Sequence, residues 1–304
     1  MRRAPAGRLL LARLRAAALL AALLALPAAT AAGREILHHV HGLAFAPDGK
    51  ALLVPAHTGL AVYRDGRWSL APGPAHDFMG FSVAKDAIYT SGHPAPGAPL
   101  RNPLGLMKSS DGGRTWRQLG LAGEADFHLL AAGYRTNVVY VVNEEPNSRM
   151  RSSGLHYSTD DGKSWKRSAA SGLGGQVISI AAHPTEAGTI LLGTLGGLYL
   201  SRDFGASFRR IGLAPRATAV LFDLDGRHLY FATDGTEALL RVSLDGRLDA
   251  SLALPKLEKD FVTYIAQNPV KPAELAIATR RRSVFLSPDA GKSWKQIARE
   301  GEGL

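Results

Sequence analysis

The sequence predicts an all-β fold, a six-bladed β-propeller, from a repeated phrase and from the strand pattern around it. The phrase S-x-D-x-G-x-[ST]-[WF] begins at Ser109, Ser158, Ser201 and Ser287 of the 304 residues. These positions are 49, 43 and 86 residues apart, and the last interval is twice the second. Self-similarity at a fixed period in this range is typical of repeat architectures such as propellers.

Two degraded copies complete the set of repeats. One begins at Ser243, close to one period after Ser201, and the other begins at Tyr63, about one period before Ser109. Six copies predict six blades in a single domain over residues 33–304, because no stretch is left for a second domain. The blades are expected at about residues 36–75, 76–120, 121–168, 169–211, 212–254 and 255–300.

Each repeat is expected to contain four short strands with turn residues between them. In the fourth repeat these strands are residues 177–182, 189–194, 198–201 and a last one from Phe208. Four such antiparallel strands form one propeller blade. The phrase then joins the third strand to the fourth, with the aspartate capping backbone N–H groups and the glycine supplying a positive φ.

The aromatic residue that ends each phrase is expected to pack between neighbouring blades. The aspartate and the aromatic residue are therefore predicted to be structural. In the four complete phrases these residues are Asp111, Trp116, Asp160, Trp165, Asp203, Phe208, Asp289 and Trp294.

Residues 1–32 have the composition of a secretory signal peptide. Five arginines precede an apolar run from Ala16 to Leu26, and small residues follow Pro27. The run is shorter than the roughly 20 apolar residues of a membrane-spanning helix. We therefore expect an exported protein, periplasmic or extracellular, with no transmembrane segment after cleavage, and a monomer.

Net charge and cysteine content exclude several kinds of function. The net charge of +10 includes the five arginines of the signal segment, so the remaining balance is only half as large. Without a basic block we expect no nucleic-acid partner, and Arg280-Arg281-Arg282 is expected to form a solvated turn. The absence of cysteine excludes disulfides, thiolate metal ligands and cysteine nucleophiles.

On these residues the chain resembles the Asp-box, or bacterial neuraminidase repeat, proteins. This group includes sialidases, sortilin-type propellers, xyloglucan-active glycoside hydrolases and photosystem II assembly factors, and the resemblance implies a β-propeller fold. The first half of the chain also looks like a bacterial group labelled glycosyl hydrolase. Sialidases of this type have an Arg-Ile-Pro motif that this sequence lacks, which argues against sialidase activity.

The chemistry is expected on the propeller face opposite the repeated phrases. The loops that lead into the first strand of a blade, and those that join its second and third strands, lie on that face. In blades one to three they contain most of the histidines of the chain. The candidate ligand-face residues are His39, His41, His57, His76, Met79, His93, His128 and Asn143.

Alignment of the inner strands suggests a metal site at the mouth of the central channel. The equivalent positions in the six blades are His41, Met79, His128, Ile178, Thr218 and Thr263. Histidine, methionine and histidine in adjacent blades would suit copper or zinc, with His39 or His76 completing the set. The alternative is that each histidine satisfies a local backbone hydrogen bond.

A glycosidase is the competing interpretation, because it needs two carboxylates about 5 to 9 Å apart across a cleft. The candidates are Asp77, Asp126, Glu144, Glu145 and Asp260. The dipeptide Asp-Phe recurs at 77, 126 and 260, which favours a partly structural role in which the aspartate caps a turn.

Two long loops suggest a third function, which is recognition of another molecule without chemistry. They span residues 92–103 and 143–154, rise from adjacent blades and contain several Pro, Ser, Asn and Arg residues. Long loops on a rigid scaffold commonly bind ligands. The sequence therefore favours a binding module for carbohydrate, protein or metal over a glycoside hydrolase.

Overall fold

Antiparallel strands make up the whole of the regular structure. The computed structural model describes residues 36–212 and 214–304, which form six sheets and no helix. The predicted six-bladed β-propeller is therefore confirmed. The signal segment at residues 1–32 lies outside the described residues. Among those that are described, no helix has the length and apolar character of a membrane span.

Each blade is one continuous stretch of chain whose strands pair in order. The first three blades contain β1 (Ala44–Phe45), β2 (Leu52–Ala56), β3 (Gly59–Arg64) and β4 (Arg67–Leu70); β5 (Asp77–Val83), β6 (Ile88–His93), β7 (Leu106–Ser109) and β8 (Arg117–Gly120); and β9 (Leu130–Ala132), β10 (Val139–Asn143), β11 (Gly154–Ser158) and β12 (Lys166–Arg167).

The last three blades follow the same plan, and the sixth has one additional strand. They contain β13 (Val177–Ala182), β14 (Ile190–Thr194), β15 (Gly197–Ser201) and β16 (Arg209–Ile211); β17 (Ala219–Phe222), β18 (His228–Ala232), β19 (Ala238–Ser243) and β20 (Leu248–Ala253); and β21 (Val262–Gln267), β22 (Leu275–Thr279), β23 (Val284–Ser287), β24 (Lys295–Arg299) and β25 (Glu302–Gly303). Strand β25 extends the sixth blade beyond its expected end at residue 300, because a tight turn at Glu300 and Gly301, both with positive φ, adds a hairpin.

Burial decreases from the second strand of a blade to its outer fourth strand. Strands β2, β14 and β22 are buried at every residue, whereas β4 and β12 consist mainly of exposed residues. The second strands lie between neighbouring blades, so both of their faces are covered. They therefore read as continuous apolar runs, whereas the edge strands are polar.

The repeated phrase closes the turn between the third and fourth strands through one hydrogen-bond pattern. In the phrase at Ser109, the Asp111 carboxylate accepts the Ser109 hydroxyl at 2.8 Å and the Thr115 N–H and hydroxyl at 2.9 and 2.6 Å. The Ser109 oxygen in turn accepts the Gly113 N–H at 2.9 Å. The other complete phrases repeat these bonds, so serine, aspartate and glycine are all required by the turn.

The final aromatic residue of the phrase packs between blades, as predicted. Trp116 lies against Leu60 of the first blade and Phe78 of the second, with 4.8 Å between the Trp116 and Phe78 ring centroids. Trp165 occupies the same position between the second and third blades, beside Phe127. The phrase therefore fixes a turn and at the same time joins two sheets.

The aspartates of the repeated phrases are expected to make the stability of the fold depend on pH in the acid range. Hydrogen bonds, first from a hydroxyl and then from backbone N–H groups, hold the pKa values of Asp111 and Asp160 at about 2. A lowered folded-state pKa stabilises the fold fully above the ordinary carboxyl value near 4, and this contribution is lost as the pH falls toward 2. We expect the urea midpoint to drop between pH 5 and pH 2.5, and to drop less in Asp160→Asn. Equal pH dependence in the two proteins would contradict this assignment.

The ring closes without exchange of a strand between the first and last blades. The Ile36 and Leu37 N–H groups both donate to the Gly301 carbonyl at 3.0 Å. The Leu37 side chain is fully buried among residues of blades one and six. On the outer strand, the Trp68 indole donates to the Ile297 carbonyl at 2.7 Å. Closure therefore rests on apolar packing between the two blades, in which Leu37 takes part, and on these hydrogen bonds.

Candidate functional site

Histidines and carboxylates of blades one to three gather at one end of the propeller. This surface, called here the histidine face, is built by the segments that lead into β1, β5 and β9 and by the loops after β2, β6 and β10. The repeated phrases lie on the opposite face. The residues of the histidine face are His39, His41, His57, Asp77, His93, Asp126, His128 and Glu144.

Three imidazoles of the first blade form one cluster, called here the imidazole cluster. His39 and His41 precede β1, and His57 lies in the turn after β2. The nearest nitrogens of the three rings all lie within 4.8 Å of one another. The cluster forms because the His41 N–H donates to the Pro55 carbonyl at 3.2 Å, which holds the segment before β1 beside the end of β2.

A carboxylate from the second blade adjoins the imidazole cluster. Asp77 begins β5, and its Oδ2 atom lies 3.6 Å from His57 Nδ1. The other oxygen, Oδ1, is buried and has no hydrogen-bond partner among the described residues, and the same is true of His41 Nε2. Two buried polar atoms without partners in one small site are costly unless a ligand or an ion completes them.

Burial and the neighbouring histidines favour the neutral form of His39 and His41. The pKa of His41 is lowered to about 4, first by burial and then by the charge of His57. The pKa of His39 is lowered by the same two causes in the same order. Neutral imidazole has a free nitrogen lone pair, which is the form that binds a metal ion.

A second group, called here the carboxylate cluster, joins blades two and three. Asp126 Oδ2 lies between two rings, 3.1 Å from His93 Nε2 and 3.2 Å from His128 Nε2. Glu144 Oε1 lies 3.6 Å from the other nitrogen of His128, and Asn102 Oδ1 lies 2.7 Å from His93 Nδ1. The amide oxygen only accepts, so His93 donates from Nδ1.

The carboxylate cluster contains charged groups at neutral pH. The hydrogen bond to Asp126 raises the pKa of His128 to about 9, against the effect of burial, so His128 is an imidazolium at neutral pH. Burial acts to raise the pKa of Asp126, but the hydrogen bonds and charges of His128 and His93 outweigh it and lower the value. The result is an ionised carboxylate between charged or polar rings.

The charge state of His128 gives a prediction that NMR can check. We expect its ring to titrate near pH 9 in the intact protein and at a clearly lower pH in Asp126→Asn, which keeps only Glu144 as an acidic partner, while Glu145→Gln, a neighbour that makes no contact with the ring, leaves it near 9. A raised pKa stabilises the fold fully below pH 6.5, and this contribution is lost as the pH rises through about 9. Titration near 6.5 in the unmodified protein would rule out the Asp126 contact.

The remaining predicted site residues have structural partners. His76 is buried, accepts the Ala95 N–H at 3.0 Å and packs edge-on against Phe78. Asn143 donates to the Glu145 and Ser152 carbonyls and so organises the loop after β10. Asp260 accepts the Phe261 and Arg281 N–H groups, as expected of a turn cap, and the side chain of Glu145 is exposed.

The structure brings only two of the three residues His41, Met79 and His128 to the central cavity. A central cavity of about 370 Å³ is lined by five of the six aligned positions, namely His41, His128, Ile178, Thr218 and Thr263. Met79 is not among the lining residues, and Phe81 lines the cavity in its place. The pairing of β5 with β6 is irregular between Phe78 and Phe81, so a count of residues along a regular strand misplaces Met79. His57 takes its place in the cluster.

One other group of metal-ligand side chains lies on the phrase side and already has a cation. Asp223, Asp225 and His228 are close together, but the Arg241 guanidinium contacts both aspartates, at 2.8 and 3.0 Å, and the His228 ring at 3.0 Å. Arg241 fills the place that an ion would take. Of the clusters among the described residues, the imidazole cluster is therefore the better metal candidate.

Comparison with known proteins agrees with the repeat and the fold. The family model "BNR/Asp-box repeat" matches residues 156–167. A xyloglucanase of Hypocrea jecorina (strain QM6a) is 33% identical over 86 residues, which are 28% of this chain and 9% of that protein. The chain therefore carries a BNR/Asp-box repeat and spans only about a tenth of this relative.

Two solved structures share the fold at low sequence identity. The GH74 xyloglucanase of Xanthomonas campestris matches 86% of this chain and 46% of its own, with a TM-score of 0.55 and 19% identity. An ancestral GH74 enzyme matches 87% of this chain and 39% of its own, with a TM-score of 0.53 and 13% identity. This chain is thus similar to one part of longer glycoside hydrolase propellers.

Proposed function

We propose that this protein is a ligand-binding propeller that binds a transition-metal ion, zinc or copper, at the imidazole cluster. The observation that carries the proposal is the convergence of His39, His41 and His57, with all three nitrogens within 4.8 Å of one another. Tetrahedral zinc with bonds of about 2 Å needs ligand atoms roughly 3.3 Å apart. Small rotations of the exposed His39 and His57 rings would reach this spacing.

Asp77 supplies a fourth ligand in this proposal. Its Oδ2 atom is 3.6 Å from His57, and its Oδ1 atom is buried without a partner among the described residues. Three imidazoles and a carboxylate suit zinc and also copper(II), so the donor set does not separate the two metals. Hard cations such as Mg²⁺ prefer oxygen ligands and are expected to bind poorly.

The metal proposal is tested by calorimetric titration of the residue 33–304 chain after dialysis against EDTA. We expect one equivalent of Zn²⁺ to bind with a Kd well below 1 mM, and no heat from Mg²⁺. The double variant His39→Gln/His57→Gln is expected to lose the binding. The matched control His156→Gln/His228→Gln removes two histidines outside the cluster. Equal Zn²⁺ affinity in the two double variants would refute the proposal.

A glycoside hydrolase is the second candidate, favoured by the similarity to xyloglucanases. Asp77 and Asp126 are the carboxylates that would act, and both lie on the histidine face. A general acid needs a raised carboxyl pKa, whereas the pKa of Asp126 is lowered. All four tryptophans, which could stack on sugar rings, lie in the phrases or in the ring closure.

The hydrolase candidate is tested with xyloglucan oligosaccharides and aryl glycosides. We expect no turnover above that of the double variant Asp77→Asn/Asp126→Asn. Hydrolysis that disappears in this variant would establish an enzyme and displace metal binding as the main function. The proposal also includes export of the protein, which is supported by the composition of residues 1–32. It further includes binding of carbohydrate or protein by the two long loops.

A further inference from the structure

We propose that the central cavity binds a small organic anion, with its charged head at Arg216 and Arg280 and its apolar part inside the ring. This inference needs no metal ion: the two arginines belong to blades five and six, although His41 of the imidazole cluster lines the same cavity. It rests on the residues that line the cavity, on the hydrogen-bond and ion-pair partners of each guanidinium, and on the positions of the two arginines around Phe261.

The cavity wall combines apolar side chains with polar groups such as Ser179 and Thr218, and among its described residues the arginines are the only permanently charged groups. Inner-strand side chains such as Ile180, Val220 and Ile265 form the wall, and the volume of about 370 Å³ falls in the range of small-ligand pockets, roughly 300–1,000 Å³. Among the described residues that line it, none is acidic, and the arginines are Arg216 and Arg280. A pocket whose described lining residues offer apolar side chains and arginines but no carboxylate is complementary to an amphipathic anion.

The Arg216 guanidinium has fixed contacts, but one of its N–H groups lacks a hydrogen-bond acceptor among the described residues. One terminal nitrogen lies 2.8 Å from Asp234 Oδ2, and the guanidinium lies over the Phe261 ring, 5.6 Å from its centroid. Its Nε atom is buried and has no hydrogen-bond partner among the described residues. A buried guanidinium N–H without an acceptor is costly, and a carboxylate of a ligand would satisfy it.

Arg280 brings a second guanidinium to the same edge. Its backbone N–H donates to the Phe261 carbonyl at 3.0 Å, so Phe261 lies between the two arginines. Its side chain is exposed, and in the part of the chain that is described no carboxylate pairs with it. The adjacent Arg281 differs, because it pairs with Glu300 and does not line the cavity.

His128 also lines the cavity, but its charge is balanced by Asp126 and Glu144. Its ring lines the wall, and its contact with Asp126 keeps it protonated at neutral pH, with a pKa of about 9. The attraction for an anion at the mouth therefore comes mainly from the arginines, of which Arg280 has no carboxylate partner among the described residues. A carboxylate is the best match, because arginine binds it through two parallel hydrogen bonds.

Sodium octanoate is the probe for this proposal, titrated calorimetrically in EDTA so that no metal takes part. We expect octanoate to bind one to one with a Kd below about 1 mM, whereas acetate lacks the apolar part and octylammonium carries the wrong charge, so neither binds. Arg280→Gln is expected to weaken octanoate binding at least about tenfold, in line with the loss of one charged hydrogen bond. Arg281→Gln is the matched control and is expected to bind like the unmodified chain.

Three results would overturn the proposal. Equal binding of octanoate and octylammonium would mean that the cavity selects only for apolar surface. Equal octanoate affinity in Arg280→Gln and Arg281→Gln would remove the arginine site, provided that both variants show the circular dichroism spectrum of the unmodified chain. Absence of octanoate binding to the unmodified protein would exclude an anion pocket of this kind.

Discussion

Replacement of His41 by leucine is expected to weaken Zn²⁺ binding by about 100-fold or more, and to stabilise the metal-free fold. The loss of affinity follows because His41 is the least exposed member of the imidazole cluster, and even outer partners of metal ligands contribute about 10- to 100-fold. The gain in stability follows because Nε2 is buried without a partner among the described residues. Removing such a group is expected to add about 1 kcal/mol to the free energy of unfolding.

Urea unfolding in EDTA and calorimetric titration with Zn²⁺ check the two parts separately. His156→Leu is the matched control, since His156 is buried outside the cluster and its Nδ1 lies 3.1 Å from the Gly154 carbonyl. This control should leave Zn²⁺ binding intact and should not stabilise the fold. A His41→Leu protein that is less stable without metal would show that the His41 nitrogen has a structural partner.

Replacement of Leu37 by alanine is expected to lower the free energy of unfolding by about 2–5 kcal/mol, the usual effect of truncating a fully buried leucine. Leu37 is 0% exposed, and it packs with Ala278 and Val284 of the sixth blade and Leu52 of the first. Because no strand is exchanged between these blades, they are held together mainly by this apolar packing. The space left by the removed side chain would lie between the first and sixth blades.

Chemical unfolding measured by intrinsic tryptophan fluorescence checks this prediction. Leu70→Ala is the control, because Leu70 belongs to the same blade and is 49% exposed. Its effect is expected to stay within about 0.5 kcal/mol. Similar losses for the two variants would mean that Leu37 has no special part in closing the ring.

The fold was predictable because the residues of the repeated phrase specify the geometry of one turn. The serine, aspartate and glycine are each needed for one hydrogen bond or one positive φ, so the four copies locate the same turn four times. The strands around them follow from burial on both faces. In the fourth blade the expected first strand at 177–182 coincides with β13.

The site was predictable only as a surface. His39, His41 and His57 were all expected on the ligand face, but their convergence depends on the bond from His41 to Pro55, which brings two chain segments together. The error at Met79 has a local cause. At Gly80 a Cβ atom would lie 2.1 Å from the Phe127 carbonyl oxygen, so the glycine permits a close approach of two blades where β5 departs from regular pairing.

The cationic edge of the cavity was missed for a different reason. Arg280, Arg281 and Arg282 look alike in sequence and were expected to form one solvated turn. The structure gives them three different surroundings: Arg280 lines the cavity, Arg281 pairs with Glu300, and Arg282 donates to the Leu37 and His38 carbonyls. Only the direction of each side chain separates them, and a run of identical residues does not specify that direction.

The seam between the first and sixth blades has a consequence for synthesis of the chain. Leu37 and Trp68 are synthesised long before their partners Gly301 and Ile297, because Trp68 and Ile297 are 229 residues apart in sequence. Five blades can pair their own strands while the nascent polypeptide is still open, because each is a continuous segment. Ring closure must wait for residues 297–301, so a chain stalled before them would expose the Leu37 side chain to other molecules.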